Sequence, residues 1–278
     1  MSGSQGFVED RRALLRVEGP EARDWLQGLV SNDVTRLAPG RAVYAAMLSP
    51  QGKYLFDFVL VADGDAVLLD APADRMAALR QKLALYKLRR KVTLADEPRG
   101  AALIWGGDAP QAPDGALIVP DPRDPALGWR LYATDPGAAL AALGAAPVDR
   151  AAHDALRVAC AVPESGVELI PDDTYILEAG FERLNGVDFR KGCYVGQEVT
   201  ARMRHKTTLR KGLVRVAVEG EAPPPGAPLV TEDGKEAGTL HTVVGGAGLA
   251  HLRFDRANGP LTAGRAIVRA SDIGAERD

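Results

Sequence analysis

The residues best suited to chemistry lie between Leu184 and Lys206, in the run LNGVDFRKGCYVGQEVTARMRHK. One thiol, Cys193, stands between Gly192 and Gly196, with Arg190 and Lys191 before it and Arg202, Arg204 and Lys206 after it. Cationic neighbours stabilise a thiolate and lower the pKa of its thiol. Glycine lets the backbone take positive φ and lets other groups approach the main chain closely. From Gly196 onward the run reads as the start of a helix. Gln197 and Glu198 fall in the first turn, Arg202 and Arg204 in the last, and Val199 and Met203 are four residues apart. Cys193 then precedes a helix N-terminus, a second reason for thiolate character. The expectation is a presented, reactive cysteine in a rigid loop. The alternative is a small buried hydrophobe in a turn, as free cysteine often is. The paired glycines and the five cations favour the first.

Other positions carry weaker signals. Glu178 is a lone acid in the apolar window Tyr175–Phe181. It is either solvent-facing or a carboxylate aimed into a cavity, where it can accept a pair of N–H donors. Asn32 and Asp33 follow a predicted helix and suit a turn. The run Lys87-Leu88-Arg89-Arg90-Lys91 suits a solvated helix C-terminus. Cys160 reads as structural. None of the four histidines and two cysteines falls in a metal-ligand spacing, so no self-contained metal site is expected.

Composition narrows the class. A net charge of -3 argues against nucleic acid as a main partner. No apolar run reaches the roughly eighteen residues of a membrane span, so no membrane partner is expected. The start of the chain reads as neither signal nor transit peptide, which favours a bacterial cytoplasmic protein.

The elements that must hold these residues alternate between strand and helix. Strands are expected at 13–17, 42–48, 54–60, 66–69, 92–94, 101–105, 116–119 and 129–134, with Ser49-Pro50-Gln51-Gly52 as a hairpin turn. Helices are expected after Pro20, after Pro72 with Met76, Leu79, Leu83 and Tyr86 or Lys87 on one face, and at 138–143, with a helix or helix-to-strand element at 149–159. Five short strands from 213 to 268, joined by Gly/Pro/Asp turns, read as a small β-barrel, and the tail after Ser271 as frayed. The class is α+β.

KGCYVGQE with the trailing ARM closely resembles the signature of the YgfZ family, the folate-binding, T-protein-like group that supports iron–sulfur enzymes and includes a mitochondrial iron–sulfur assembly factor. Trp25–Val34, with its LQG and SNDV, resembles a second element of the same group. The resemblance implies a three-module clover-leaf around a hole that takes tetrahydrofolate. Residues 1–40 with 145–205 would form one α+β module, 41–144 a second, and 206–278 the C-terminal barrel. It implies Asn32, Asp57 and Glu178 around the pterin, and Lys191, Tyr194, Arg202 and Arg204 tuning the thiolate or meeting the folate's glutamate tail. Cys193 would be the reactive centre. Aminomethyltransferases of the group place an acidic pair after the hairpin; only Asp57 remains here, which points away from plain aminomethyl transfer. Where some relatives set aromatic residues against folate, this chain has Arg12 and His153. The implied function is a folate-dependent accessory factor for assembly or repair of iron–sulfur proteins, with client or assembly proteins as partners. Two cysteines cannot supply the four thiolates of a typical cluster, so any cluster would be shared. The alternatives are a folate-dependent one-carbon transferase and a non-catalytic protein-binding scaffold.

Overall fold

A computed structural model describes residues 3–206 and 208–271; the side chain of Lys206 lies outside the described residues, as does the tail after Ser271. The order begins β1 (Gln5–Glu9), β2 (Arg12–Glu18), α1 (Ala22–Gln27), β3 (Ala42–Leu48), β4 (Tyr54–Asp63), β5 (Ala66–Pro72), α2 (Met76–Lys87) and β6 (Thr93–Glu97). It continues β7 (Gly100–Trp105), β8 (Leu117–Pro120), β9 (Trp129–Ala133), α3 (Pro136–Ala142), β10 (Ala146–Pro147), α4 (Arg150–Ala159) and α5 (Gln197–Lys206). Strands β3, β4, β5, β2 and β6 form one sheet in that order, and β10, β1, β7, β9 and β8 a second.

Strands β3 to β5 are buried along almost their whole length because the first sheet is a middle layer. A strand covered on both faces needs apolar residues on both, hence a continuous run rather than an alternation. On one face Val43, Phe58 and Leu60 pack with Trp25, Leu26, Leu79 and Leu83 of the two helices. On the other, Tyr44, Val59 and Leu68 pack with Tyr132 of the second sheet and with Ile176, Phe181 and Leu184. Fully burying one such side chain stabilises by about 1.5–3 kcal/mol.

Six strands close the C-terminal barrel: β11 (Lys211–Glu219), β12 (Ala227–Val230), β13 (Glu236–Val244), β14 (Ala247–Arg253), β15 (Leu261–Ala263) and β16 (Ala266–Ala270). The sixth is β15, too short at three residues to show a period of its own. Strand β1 was also not anticipated. It stands between β7 and β10, and its few inward residues do not form an apolar run.

Between α4 and α5, residues 160–196 form no helix or strand. This stretch is nonetheless ordered. Val162, Leu169, Ile176, Phe181 and Leu184 are buried in the core, and its backbone groups bond to one another and to β4 and β11. Such a long irregular segment inside a compact fold usually carries function.

Candidate functional site

Cys193 is exposed, and two anchors make it so. Tyr194 packs against the core cluster on one face of the first sheet, and Val195 against the cluster on the other. Desolvation pushes the Tyr194 phenol up to about 12, in keeping with a ring driven into the core. With both following residues held inward, Gly192 and Cys193 are left at the surface. Helix α5 then starts as expected, the Gln197 carboxamide accepting the Tyr194 N–H at 2.9 Å.

The two glycines that close the turn are required by contact. At Gly196, with φ +83°, a Cβ would lie 2.5 Å from the Ser49 carbonyl oxygen. At Gly52, with φ +75°, it would lie 2.7 Å from Val199 Cβ. The Ser49–Gly52 hairpin turn and the start of α5 therefore pack backbone to backbone, which only glycine permits.

The motif lysine has a different role from the one expected. Its ammonium is engaged by the main chain, donating to the carbonyls of Gln27, Val30 and Asn32 at 2.7, 2.5 and 3.0 Å. Those carbonyls lie at and beyond the C-terminus of α1, where a cation is favoured. Burial pulls the Lys191 pKa down to about 8, opposed by the carboxylates of Asp33 and Asp188. Arg204 pairs with Glu182 at 2.8 Å and stacks over Phe189 at 3.9 Å. Arg202 is exposed on α5. Thus two of the four described cations are engaged away from the sulfur.

Asp188, unremarked in the sequence, fixes the approach to the thiol. Its carboxylate accepts the N–H groups of Arg190 and Lys191 at 2.6 and 3.1 Å and pairs with Arg36. An Asp two residues before the turn it caps is the one sequence signal for this. Ser31 ties the same stretch to β3, donating its hydroxyl to the Gly186 carbonyl at 2.6 Å and accepting the Ala46 N–H at 2.8 Å.

The residues expected around a pterin do not converge. Asn32 is buried, its amide donating to the carbonyls of Tyr44 at 2.8 Å and Asn185 at 2.6 Å. It borders a recess of its own beside Arg36 and Glu182. Glu178 lies in a cavity of about 950 Å³ between the barrel and residues 166–174, where Lys211 stands 3.3 Å away. Desolvation raises its pKa, opposed by that lysine. Asp57 lines a separate cavity of about 450 Å³ with Arg12, Arg123, Arg150, His153 and Ser165. Only Gly166 and Val167 border both cavities.

Asp57 is held by two phenols. Tyr54 donates to it at 2.8 Å while lying 2.7 Å from the Ser165 hydroxyl, and Tyr44 stands at 3.3 Å. Behind this wall runs a buried ionic network that the sequence did not announce. Asp70 accepts from Arg12, from Arg130 at 2.9 Å and from Tyr132 at 2.8 Å, while Arg130 also donates to Asp121 at 2.9 Å. Burial opposes ionisation of Asp70, and the two guanidiniums override it and hold the pKa low. His153 stacks on Phe7 at 5.6 Å. Burial, with help from Arg123 and Arg150, takes its pKa down to about 3, so the ring is neutral. Its Nδ1 is buried without a hydrogen-bond partner.

Residues 12–109 match the GCVT N-terminal domain and residues 210–274 the CAF17 C-terminal beta-barrel domain. The crystal structure of glycine cleavage system aminomethyltransferase T from Bartonella henselae aligns with a TM-score of 0.79 at 17% identity, over 97% of this chain and 85% of that one. The fold is therefore the aminomethyltransferase fold, as expected. Among curated relatives, the mouse protein named iron-sulfur cluster assembly factor IBA57, mitochondrial, is 36% identical over 92% of this chain and 79% of its own length. The human protein of the same name is 35% identical over 96% and 81%. The chain belongs to the IBA57 family, a T-protein-like group, as the resemblance implied. The expectation of a bacterial cytoplasmic protein is corrected by the same finding, since these relatives are named as mitochondrial.

Proposed function

We propose that this chain is a folate-dependent accessory factor for the assembly or repair of iron–sulfur proteins, and that Cys193 is the sulfur that meets the client. The kinship with iron–sulfur cluster assembly factors supports the first part. The observation that carries the second is the exposed Cys193 on a loop whose next two residues, Tyr194 and Val195, are packed into the core. A thiolate presented this way can ligate an iron of a cluster whose remaining ligands come from a partner chain. One cysteine does not complete a cluster, and among the described residues no group of three His, Cys, Asp or Glu could hold a metal ion. The cluster is thus cargo shared during transfer.

The folate fits the cavity beside Asp57 better than the one beside Glu178. Both cavities, about 450 and 950 Å³, lie in the range of small-molecule sites, and the lining chemistry favours the first. Asp57 offers carboxylate lone pairs to ring N–H groups, the unpartnered Nδ1 of His153 is a buried polar atom that a ligand or water can satisfy, and the arginines of the rim suit a carboxylate tail. Asp57, His153 and Arg123 would hold the cofactor, which would supply one-carbon chemistry or serve as a sensed ligand. The single carboxylate, already hydrogen-bonded by tyrosine, weighs against the transferase alternative. A structural Cys193, as the scaffold alternative requires, is at odds with its exposure.

Two measurements test the two halves separately. Calorimetry with tetrahydrofolate is expected to show binding that Asp57→Asn weakens about tenfold or more; no heat with the wild-type chain would remove the folate half. Complementation of a strain lacking this factor is expected to fail with Cys193→Ser while the protein stays folded; full rescue of iron–sulfur enzyme activity would remove the thiol half.

A further inference from the structure

The C-terminal end of α2 carries a feature that the site above does not use. From Arg75 to Ala95 the chain has seven Lys and Arg and no Asp or Glu, although the whole protein is net negative. Leu85 and Leu88, three residues apart, are 67% and 87% exposed, the highest values among the large hydrophobic residues that stand in solvent. The inward face of the helix is already settled by Leu79 and Leu83, both wholly buried, so neither outer leucine can turn into the core.

Leu88 is held outward under constraint. Its φ is +46°, a conformation that residues with a Cβ rarely adopt. The surrounding turn is pinned on both sides. The Trp25 indole donates to the Tyr86 carbonyl at 3.0 Å, the Arg90 guanidinium donates to Glu21 at 2.9 Å and Asp24 at 3.1 Å, and the Lys91 N–H donates to Glu21 at 2.6 Å. Arg80 and Arg90 are thus paired, Arg80 with Asp96 at 2.6 Å. Lys82, Lys87, Arg89 and Lys91 make no ion pair with a described residue. None of the four cavities described for the chain borders on residues 76–91. The result is an exposed apolar tip ringed by unpaired cations.

We propose that this tip is a peripheral docking point for an anionic lipid surface, with Leu85 and Leu88 entering the headgroup layer and Lys82, Lys87, Arg89 and Lys91 meeting lipid phosphates. The charge match selects an anionic partner. Two copies meeting tip to tip would set like charges against each other. A protein would have to bring a pocket shaped for Leu88, whereas a lipid layer accepts a protruding leucine without one. Such contact needs no membrane-spanning helix, and none of the described helices is long and apolar enough to be one. It goes beyond the proposed function and does not depend on folate or on Cys193.

The test is flotation of the purified full chain with vesicles of phosphatidylcholine mixed with phosphatidylglycerol, against vesicles of phosphatidylcholine alone. Binding is expected only to the mixed vesicles, weakening as salt rises. Leu88→Asp is expected to abolish it. Lys87→Glu with Arg89→Glu is expected to lower it roughly twentyfold or more. All these side chains lie outside the core, so each variant should keep the wild-type circular dichroism spectrum, which is checked alongside. Absence of flotation, equal binding to both vesicle types, or binding indifferent to these variants would overturn the proposal. So would failure on vesicles combined with loss of a purified acidic protein partner in the same variants, which would assign the tip to protein recognition.

Discussion

The loop that presents Cys193 and the wall that encloses Asp57 reach rigidity by opposite means. The loop is fixed through its backbone. Asp188 accepts two of its N–H groups, Ser31 and Lys191 bind carbonyls on either side, and Gly52 and Gly196 bring two turns into contact. Its Cys193 side chain is left exposed. The wall is fixed through side chains, with charges buried in pairs and triads around Asp70 and Asp121. The difference suits the proposed roles. A sulfur proposed to meet a client needs its main chain restrained and its side chain free. A cavity must keep its shape when empty, so its own side chains must restrain one another.

The contrast can be broken from either side. Asp70→Asn leaves the Arg12 and Arg130 guanidiniums buried against a neutral partner and is expected to cost about 3–5 kcal/mol, read by chemical denaturation. A loss under about 1 kcal/mol would mean that the wall is not held by charge. Gly196→Ala must relieve both a positive φ and a 2.5 Å contact with the Ser49 carbonyl. It is expected to cost roughly 3 kcal/mol and to raise proteolysis within 184–196. Lys191→Met removes three donors from buried carbonyls and is expected to cost about 1–3 kcal/mol. Because the lysine serves the backbone and not the sulfur, the alkylation rate of Cys193 in that variant should change only as far as the loop loosens; a collapse in reactivity with no loss of order would restore the lysine as an activator.

The smallest effect concerns pH. His153 is neutral in the folded protein with a pKa near 3, and His251 with one near 4, both chiefly by desolvation. Unfolded histidine titrates near 6.5, so below that pH the unfolded chain binds protons that the folded chain refuses. Stability is therefore expected to fall as pH drops from about 6.5 toward the folded values. The carboxylates act in the same direction at lower pH. The pKa of Asp70 is depressed, so its contribution is present above the unfolded value near 3.9 and is lost as pH falls through the folded one. His153→Phe keeps the stacking on Phe7 and should flatten the histidine part of the curve; an unchanged slope would place the effect elsewhere.

Much of this was legible in the chain itself. The hairpin around Ser49–Gly52, the face of α2 set by Leu79 and Leu83, the start of α5 and the barrel all rest on period or turn chemistry, which are local properties. The glycines and cations around the thiol were legible in the same way, while its exposure also rests on Tyr194 and Val195 packing into the core. What stayed hidden were contacts between residues far apart in sequence. Arg130 meets Asp70 across 60 positions and Lys191 meets Val30 across 161, and no spacing rule reaches that distance.

The same divide explains where the site reading went astray. The residue types suit the proposed chemistry: a cysteine between glycines, an acid after the hairpin, an acid in an apolar window, a lysine beside the thiol. Their partners were not readable. Packing of the second sheet against the first, and of the barrel against α4 and the segment that carries Glu178, put Asp57 and Glu178 in different cavities, and the end of α1 claimed the lysine. A sequence determines which groups are available and how each segment bends. Which of those groups face one another is settled only when the hydrophobic layers close, because burial acts on whole faces and carries the polar residues to wherever those faces bring them.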